Sequence, residues 1–283
     1  MKNIGVVGKG FVGSAVAHGF SPAVGYNANV LVYDKDPLKS VDSLDDVVNK
    51  SDFIFVSVPT PSNKDGSISL DILYACISEI EDALKDNSPI VLVRSTVVPG
   101  TCEDIQSKFP KLRIVFNPEF LTERSATFDF LSQTRYILGG KDKDTSEVAD
   151  LYKDRFGDSI AIIETNFQTA ELIKYVCNIY FATKVSFLNE MKLISDSVDA
   201  DWEKVIEGFI RDGRVGSSHT NVPGHDGKLG FGGSCFPKDI QALINFAEKN
   251  NLDLNVVKGA WKTNLEVRPE KDWEKLKGRA VID

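Results

Sequence analysis

The sequence predicts an α/β protein: a parallel sheet with helices on both faces, then a long spine helix and a helical second domain. Three observations carry this. A strand at the start of the chain runs into a glycine turn and a helix, strand-like and helix-like runs alternate as far as about residue 163, and the stretch from Phe167 to about Val198 contains neither glycine nor proline. At 283 residues the chain has room for about two domains, divided as 1–165 and 166–283.

The first element is the apolar strand Met1 to Gly8. It enters Gly8-Lys9-Gly10-Phe11-Val12-Gly13, the G-x-G-x-x-G pattern, and Ser14 to Phe20 continues as a helix. A glycine turn between strand and helix lets backbone N–H groups hold a pyrophosphate at the helix N-terminus, which makes the sheet Rossmann-like and the ligand a dinucleotide. Val30 to Asp34 is the second strand, and Asp34 falls 21 residues after Gly13. A carboxylate there takes the ribose hydroxyls and repels a 2′-phosphate, so NAD is expected over NADP. Lys35 reads as a solvated turn lysine.

Asp52 to Val58, Ile90 to Arg94, Leu112 to Phe116, Tyr136 to Leu138 and Ile160 to Ile163 read as further strands, with helices over Asp71 to Leu84 and from about Glu103. In a sheet of this kind ligands sit beyond the C-terminal strand ends. That puts Pro59-Thr60-Pro61, Ser95-Thr96 and Asn117-Pro118-Glu119 on the cofactor rim.

Composition excludes several classes. A net charge of −8 and a pI near 5.1 argue against nucleic acid as a partner, since phosphate backbones need a basic face. No apolar run approaches the ~20 residues of a membrane span, and the first strand carries the glycine motif where a signal peptide would lie. Cys76, Cys102, Cys177 and Cys235 show no C-x-x-C spacing and there are only three histidines, so no metal site is expected and a reducing cytoplasm is.

In the spine helix, Leu172, Ile173, Val176, Ile179, Tyr180, Val185, Leu188, Met191 and Ile194 recur at helical spacing. Lys174 and Asn178 lie four apart, hence on one face, and by themselves read as solvated surface. The segment Arg211 to Gly233, with seven glycines, reads as a ligand-covering loop. It leads into Gly230-Phe-Gly-Gly-Ser-Cys-Phe-Pro-Lys-Asp239. Glycines admit a ligand to the backbone and an ammonium nearby favours thiolate, so Cys235 reads as a nucleophile, with Lys238 and Asp239 beside it.

These motifs resemble, in order and spacing, the UDP-glucose/GDP-mannose 6-dehydrogenase family: the glycine turn, Val58-Pro-Thr-Pro61, Arg94 to Thr101, Asn117-Pro-Glu-Phe-Leu121, Glu171 to Glu190 and the cysteine loop. The Phe-Pro-Lys-Asp continuation is similar to the UDP-glucose and GDP-mannose branches, and UDP-glucose is the better match. The resemblance implies two hydride transfers from the sugar C6 alcohol to NAD, with Cys235 holding the carbon as thiohemiacetal and thioester. It implies that Glu119 activates water, that Thr96 and Asp239 orient one, and that Lys174 and Asn178 stabilise oxyanions. Lys238 and Glu123 would lie near the nicotinamide. Glu119, Phe120, Leu121, Phe231 and Gly232 would contact substrate, and Arg214 would reach the neighbouring subunit's sugar nucleotide in a homodimer built through the helical domain. The family continues into a third, nucleotide-gripping domain. Leu276 to Asp283 resembles the entry to its first strand, which implies that this chain lacks that domain.

Two departures from the family pattern stand out, Glu123-Arg-Ser125 in place of Glu-Gly and a longer, more polar Ser217 to Lys228. Both bear on sugar-nucleotide contacts. The alternatives are a GDP-mannose 6-dehydrogenase, an NAD-binding dimeric subunit that needs a separate chain for its nucleotide sugar, and a hydroxyacid dehydrogenase of similar fold, which would not need the thiol.

Overall fold

Backbone chemistry sets the first unit of the fold in this computed structural model, which describes residues 1–282. The chain forms two compact units, residues 1–60 with 70–174, and residues 61–69 with 175–283.

The first unit is built on seven strands: β1 (Lys2–Val7), β2 (Ala28–Tyr33), β3 (Phe53–Val56), β4 (Ile90–Val93), β5 (Arg113–Phe116), β6 (Arg135–Gly140) and β7 (Ala161–Thr165), in the order β2-β1-β3-β4-β5-β6-β7. Most of them are β-branched or aromatic runs buried on both faces, as a covered parallel sheet requires. Side chains alternate between the faces. Ile4, Val6, Phe53, Phe55, Ile90, Leu92 and Val115 pack with Phe20, Phe130 and Tyr152 from α1 (Phe11–Gly19), its C-cap, α5 (Ala126–Leu131) and α6 (Asp142–Phe156). Val7, Ile54, Val56, Val91, Val93, Ile114 and Phe116 pack under α2 (Leu44–Lys50), α3 (Asp71–Ala83) and α4 (Thr101–Lys108).

The sheet is not wholly parallel. β1 to β5 are, but β6 runs antiparallel to β5, with Val115 opposite Gly140, and β7 is parallel to β6. A parallel return needs a crossover long enough to span the strand, usually a helix of a dozen residues. Between β5 and β6 the chain passes through the six-residue α5 and enters β6 from the opposite end, so this connection is not a crossover of that kind.

The expected spine helix is α7 (Phe167–Ser197), ~46 Å long at ~1.5 Å per residue. It begins in the first unit and continues in the second. The second unit adds α8 (Trp202–Ile210), α9 (Phe236–Lys249) and α10 (Asn255–Val267). Asp201 caps α8 by accepting from Glu203 N and Lys204 N. Pro269 follows α10 by two residues, and the chain turns back through buried Trp273 and Ala280. Ser62 N donates to Ala280 O at 2.9 Å and Ile282 N donates to Ser62 O at 2.9 Å. The segment that resembles the entry to a further strand therefore pairs with residue 62 of its own unit.

Candidate active site

In the first unit the glycine turn is shaped by close approach. A Cβ on Gly13 would lie 1.9 Å from Gly8 O, so only glycine lets helix α1 start this near β1. Around Gly10, by contrast, a Cβ would meet nothing within 4 Å. Gly10 is the N-cap of α1, no side chain caps that helix, and its first turn carries no acid. An uncapped helix N-terminus with space before it suits a pyrophosphate. Asp34 stands just beyond β2, where its Oδ2 accepts from Lys9 N at 2.6 Å and Oδ1 from Asp36 N at 2.8 Å. The carboxylate is thereby fixed beside the turn, and these residues fit a dinucleotide with a ribose 2′-hydroxyl. Lys35 is exposed and pairs with Glu79 at 3.0 Å, which raises its pKa.

The rim residues are tied to one another. Thr60 Oγ1 donates to Thr96 O at 2.9 Å, and Ser95 Oγ donates to Val58 O at 2.7 Å, so the ends of β3 and β4 are locked together. Pro59 and Glu123 are exposed, Thr96 is half-buried, and Thr60 and Ser95 are buried. Glu119 and Lys174 meet as a buried ion pair: Lys174 Nζ lies 3.0 Å from Glu119 Oε1 and also donates to Glu119 O. Leu121 N donates to the other carboxylate oxygen at 2.7 Å, and the Lys174 ammonium sits 5.3 Å from the centre of the Phe120 ring.

The second unit gathers the remaining polar groups at the start of α9. Cys235 is its N-cap and half-buried. One turn later Asp239, 1% exposed, accepts from Asn178 Nδ2 at 2.6 Å and from Lys238 Nζ at 2.7 Å. Cys76 and Cys102 are buried, which pushes the Cys76 thiol up to about 12 and Cys102 well above its ordinary value, so neither is a thiolate near neutral pH.

Lys174 and Asn178 correct the surface reading of the sequence. Both are buried, because each has a carboxylate partner, Glu119 and Asp239 respectively, that lets its polar head leave water. Phe231 is buried and Gly232 half-buried in the cysteine loop. Arg214 is exposed and paired with Asp212 at 2.5 Å. The loop before Cys235 is pinned down: Lys184 Nζ donates to Gly216 O and Ser218 O, and the His219 ring stacks on Phe181 at 4.4 Å. Among the described residues no group of three or more histidines, cysteines and acids is placed to hold a metal.

The supporting contacts of several residues escape sequence reasoning. Arg94, buried at the end of β4, donates to Asn117 Oδ1 at 2.5 Å; Tyr152 OH donates to the same oxygen, and Asn117 Nδ2 donates to Ile137 O at 3.0 Å. That network fixes the turn on which Glu119 stands. Glu171, one turn before Lys174 on α7, is fully buried and caps α4 by accepting from Gly100 N at 2.6 Å and Cys102 N at 2.8 Å. Burial outweighs those two donors and pushes its carboxyl up to about 7. The folded chain therefore keeps a proton that the unfolded chain releases near 4.5, and stability contributed by this group falls as pH rises from about 4.5 through 7. Between pH 5 and pH 8 the stability of the parent relative to Glu171→Gln is expected to drop by about 2–3 kcal/mol. Urea midpoints at the two pH values check this, and an unchanged difference would refute it.

Comparison with known proteins agrees with this geometry. Residues 35–155 match the model of the UDP-glucose/GDP-mannose dehydrogenase family's NAD binding domain, and residues 168–266 match that of its central domain. NAD is thus the cofactor of the domain that the first unit matches. The chain is 32% identical over 244 residues to the UDP-glucose 6-dehydrogenase of Rickettsia felis, covering 84% of this chain and 53% of that protein. It is 33% identical over 267 residues to UDP-glucose 6-dehydrogenase AglM of Haloferax volcanii, covering 89% and 60%. A solved structure of a UDP-glucose dehydrogenase from Pyrobaculum islandicum superposes with a TM-score of 0.82 at 29% identity, over 94% of this chain and 68% of that one. The chain spans about half the length of the curated relatives it matches.

Proposed function

We propose, from the premise that this chain belongs to the UDP-glucose/GDP-mannose dehydrogenase family, that it acts as an NAD-dependent UDP-glucose 6-dehydrogenase, taking the sugar's C6 alcohol to the carboxylate. The observation that carries this reading is the start of α9, where Cys235 occupies the N-cap position and Asp239 one turn on holds Asn178 and Lys238 in a buried cluster. A hydroxyacid dehydrogenase would need no such thiol.

Bound at the glycine turn, NAD supplies the hydride acceptor, used twice per sugar. Gly10, Phe11, Val12 and Gly13 present the helix end to its pyrophosphate, and Asp34 takes its ribose. The rest falls to side chains. After the first oxidation the Cys235 thiolate forms a C–S bond to the aldehyde carbon while the carbonyl electron pair moves to oxygen, so the carbon stays on the protein. After the second, that carbon is a thioester. Glu119 takes a proton from the attacking water, the C–S bond breaks, and the thiolate leaves with the electron pair. Lys174 and Asn178 donate to the oxygen that carries negative charge at each addition, and Thr96 with Asp239 orients water. Lys238 pairs with Asp239 at 2.7 Å, and in this reading Lys238 and Glu123 are assigned to the nicotinamide.

Supporting the sugar-nucleotide side are Phe120, Leu121, Phe231, Gly232 and Arg214, whose exposure suits a contact made across a dimer. Apolar residues exposed on α7 and α8, among them Val176, Tyr180, Ile194 and Val205, support a homodimer through the helical unit. A cytoplasmic location suits a thiol that must stay reduced. No helix among the described residues is long and apolar enough to cross a membrane.

An assay of NADH release against UDP-glucose, GDP-mannose and other UDP- and GDP-sugars, run with NAD and with NADP, tests the reading. Two NADH per UDP-glucuronate and a preference for NAD support it. Turnover of none of these sugars, or one NADH per sugar, removes it. Light scattering on the same preparation reads the oligomer, and a monomer at micromolar concentration would remove the dimer.

A further inference from the structure

We propose that Asn264 is a positioning residue for the cysteine loop: together with Asn189 and Arg268 it clamps the backbone of residues 229–231 and so fixes how Cys235 is presented. This rests on the reading of Cys235 as the nucleophile. The loop passes through left-handed backbone at Gly230 (φ 66°) and Gly233 (φ 73°), conformations that a glycine adopts and leaves readily unless something holds it. Three side chains do so. Asn264, fully buried on α10, accepts from Phe231 N at 2.7 Å and donates to Phe231 O at 3.1 Å, pairing with that residue as a neighbouring strand would. Asn189, buried on α7, accepts from Gly230 N at 3.0 Å. Arg268, one turn after Asn264, donates to Leu229 O at 3.3 Å and is itself held by Asp226 at 2.5 Å and Asp272 at 2.7 Å.

The fit leaves no slack. A Cβ on Gly230 would lie 2.4 Å from Asn264 Oδ1, and one on Gly232 would lie 2.6 Å from Arg268 Nη2. Burial makes the pairing obligatory, since an amide that loses its partner here finds no water to replace it. Phe231 stands four residues before Cys235, the N-cap of α9, so any shift of the clamped backbone is passed to the thiol. None of the three clamping side chains bears reactive chemistry of its own. Their effect on the reaction runs through the geometry of the loop.

Asn264→Ala, verified as folded by circular dichroism and melting, is the test. Alkylation of Cys235 by iodoacetamide, followed by peptide mass spectrometry with Cys177 as the internal reference, is expected to speed up about fivefold or more as the loop opens. In the same variant kcat for sugar oxidation falls about tenfold while KM for NAD stays within about twofold. Gly230→Ala strikes the same contact from the loop side and is expected to give the same changes, so a folding failure of one variant leaves the other to decide. Cys235 alkylation within about twofold of the parent in a folded variant overturns the proposal, whatever the activity. A parent that oxidises no nucleotide sugar but shows the alkylation shift overturns the assigned function and leaves the clamp standing.

Discussion

Cys235→Ser is expected to cut uronate formation by on the order of 10³-fold or more while the fold and NAD binding persist. A serine hydroxyl is scarcely ionised near neutral pH, so under the proposed mechanism it could not attack the aldehyde carbon as a thiolate does, and the second oxidation would lose the covalent hold on its substrate. The variant should nevertheless be well folded. Serine differs from cysteine only by oxygen for sulfur, and position 235 makes no side-chain cap bond that the exchange would break. Separate quantities of NADH, aldehyde and acid show where the reaction stops. Acid made by the serine variant at the parent rate would remove covalent catalysis from the account.

Lys174→Met is expected to destabilise the chain by about 3 kcal/mol or more, because it strips the counter-ion from a carboxylate that cannot reach water. Lys174 and Glu119 are 3% and 5% exposed and 3.0 Å apart. A second change distinguishes lost charge balance from lost packing: Glu119→Gln in the Lys174→Met background should recover most of the stability, since a neutral amide needs no ammonium. Denaturant unfolding of both variants gives the answer. A Lys174→Met chain within about 1 kcal/mol of the parent would show that Glu119 is not held as the buried half of an ion pair.

What the sequence disclosed and what it concealed follow physical lines. The glycine turn and Asp34 were legible because a close backbone approach leaves its mark on neighbouring residues: only glycine satisfies the 1.9 Å constraint at Gly13. The helix α7 was legible because 31 residues of apolar periodicity have no competing local structure. Burial of Lys174 and Asn178 was not, since their carboxylate partners Glu119 and Asp239 are 55 and 61 residues away and a lysine without a visible partner reads as surface. Asn189, Asn264 and Arg268 were hidden for the same reason, although the spacing of four between Asn264 and Arg268 set both on one side of α10. The reversal of β6 leaves no local trace either. A strand reads alike in both directions, and the connection after β5 is about as long as those that return parallel.

Residues 61–69 leave the first unit only to be completed by chain made much later. Ser62 is paired by Ala280 and Ile282, more than two hundred residues downstream, and Asp65 O accepts from Asn245. On a ribosome moving at ~5–20 residues per second, that strip waits about 10–40 s for its partners. The first unit is composed of residues up to Lys174, whereas residues 61–69 belong with the later chain. Refolding from denaturant bears the same mark in another currency: a long loop must be closed before Ser62 gains anything, so the order of events is set by chain entropy. The bond pair at Ser62 thus carries the entropy cost of a very long loop.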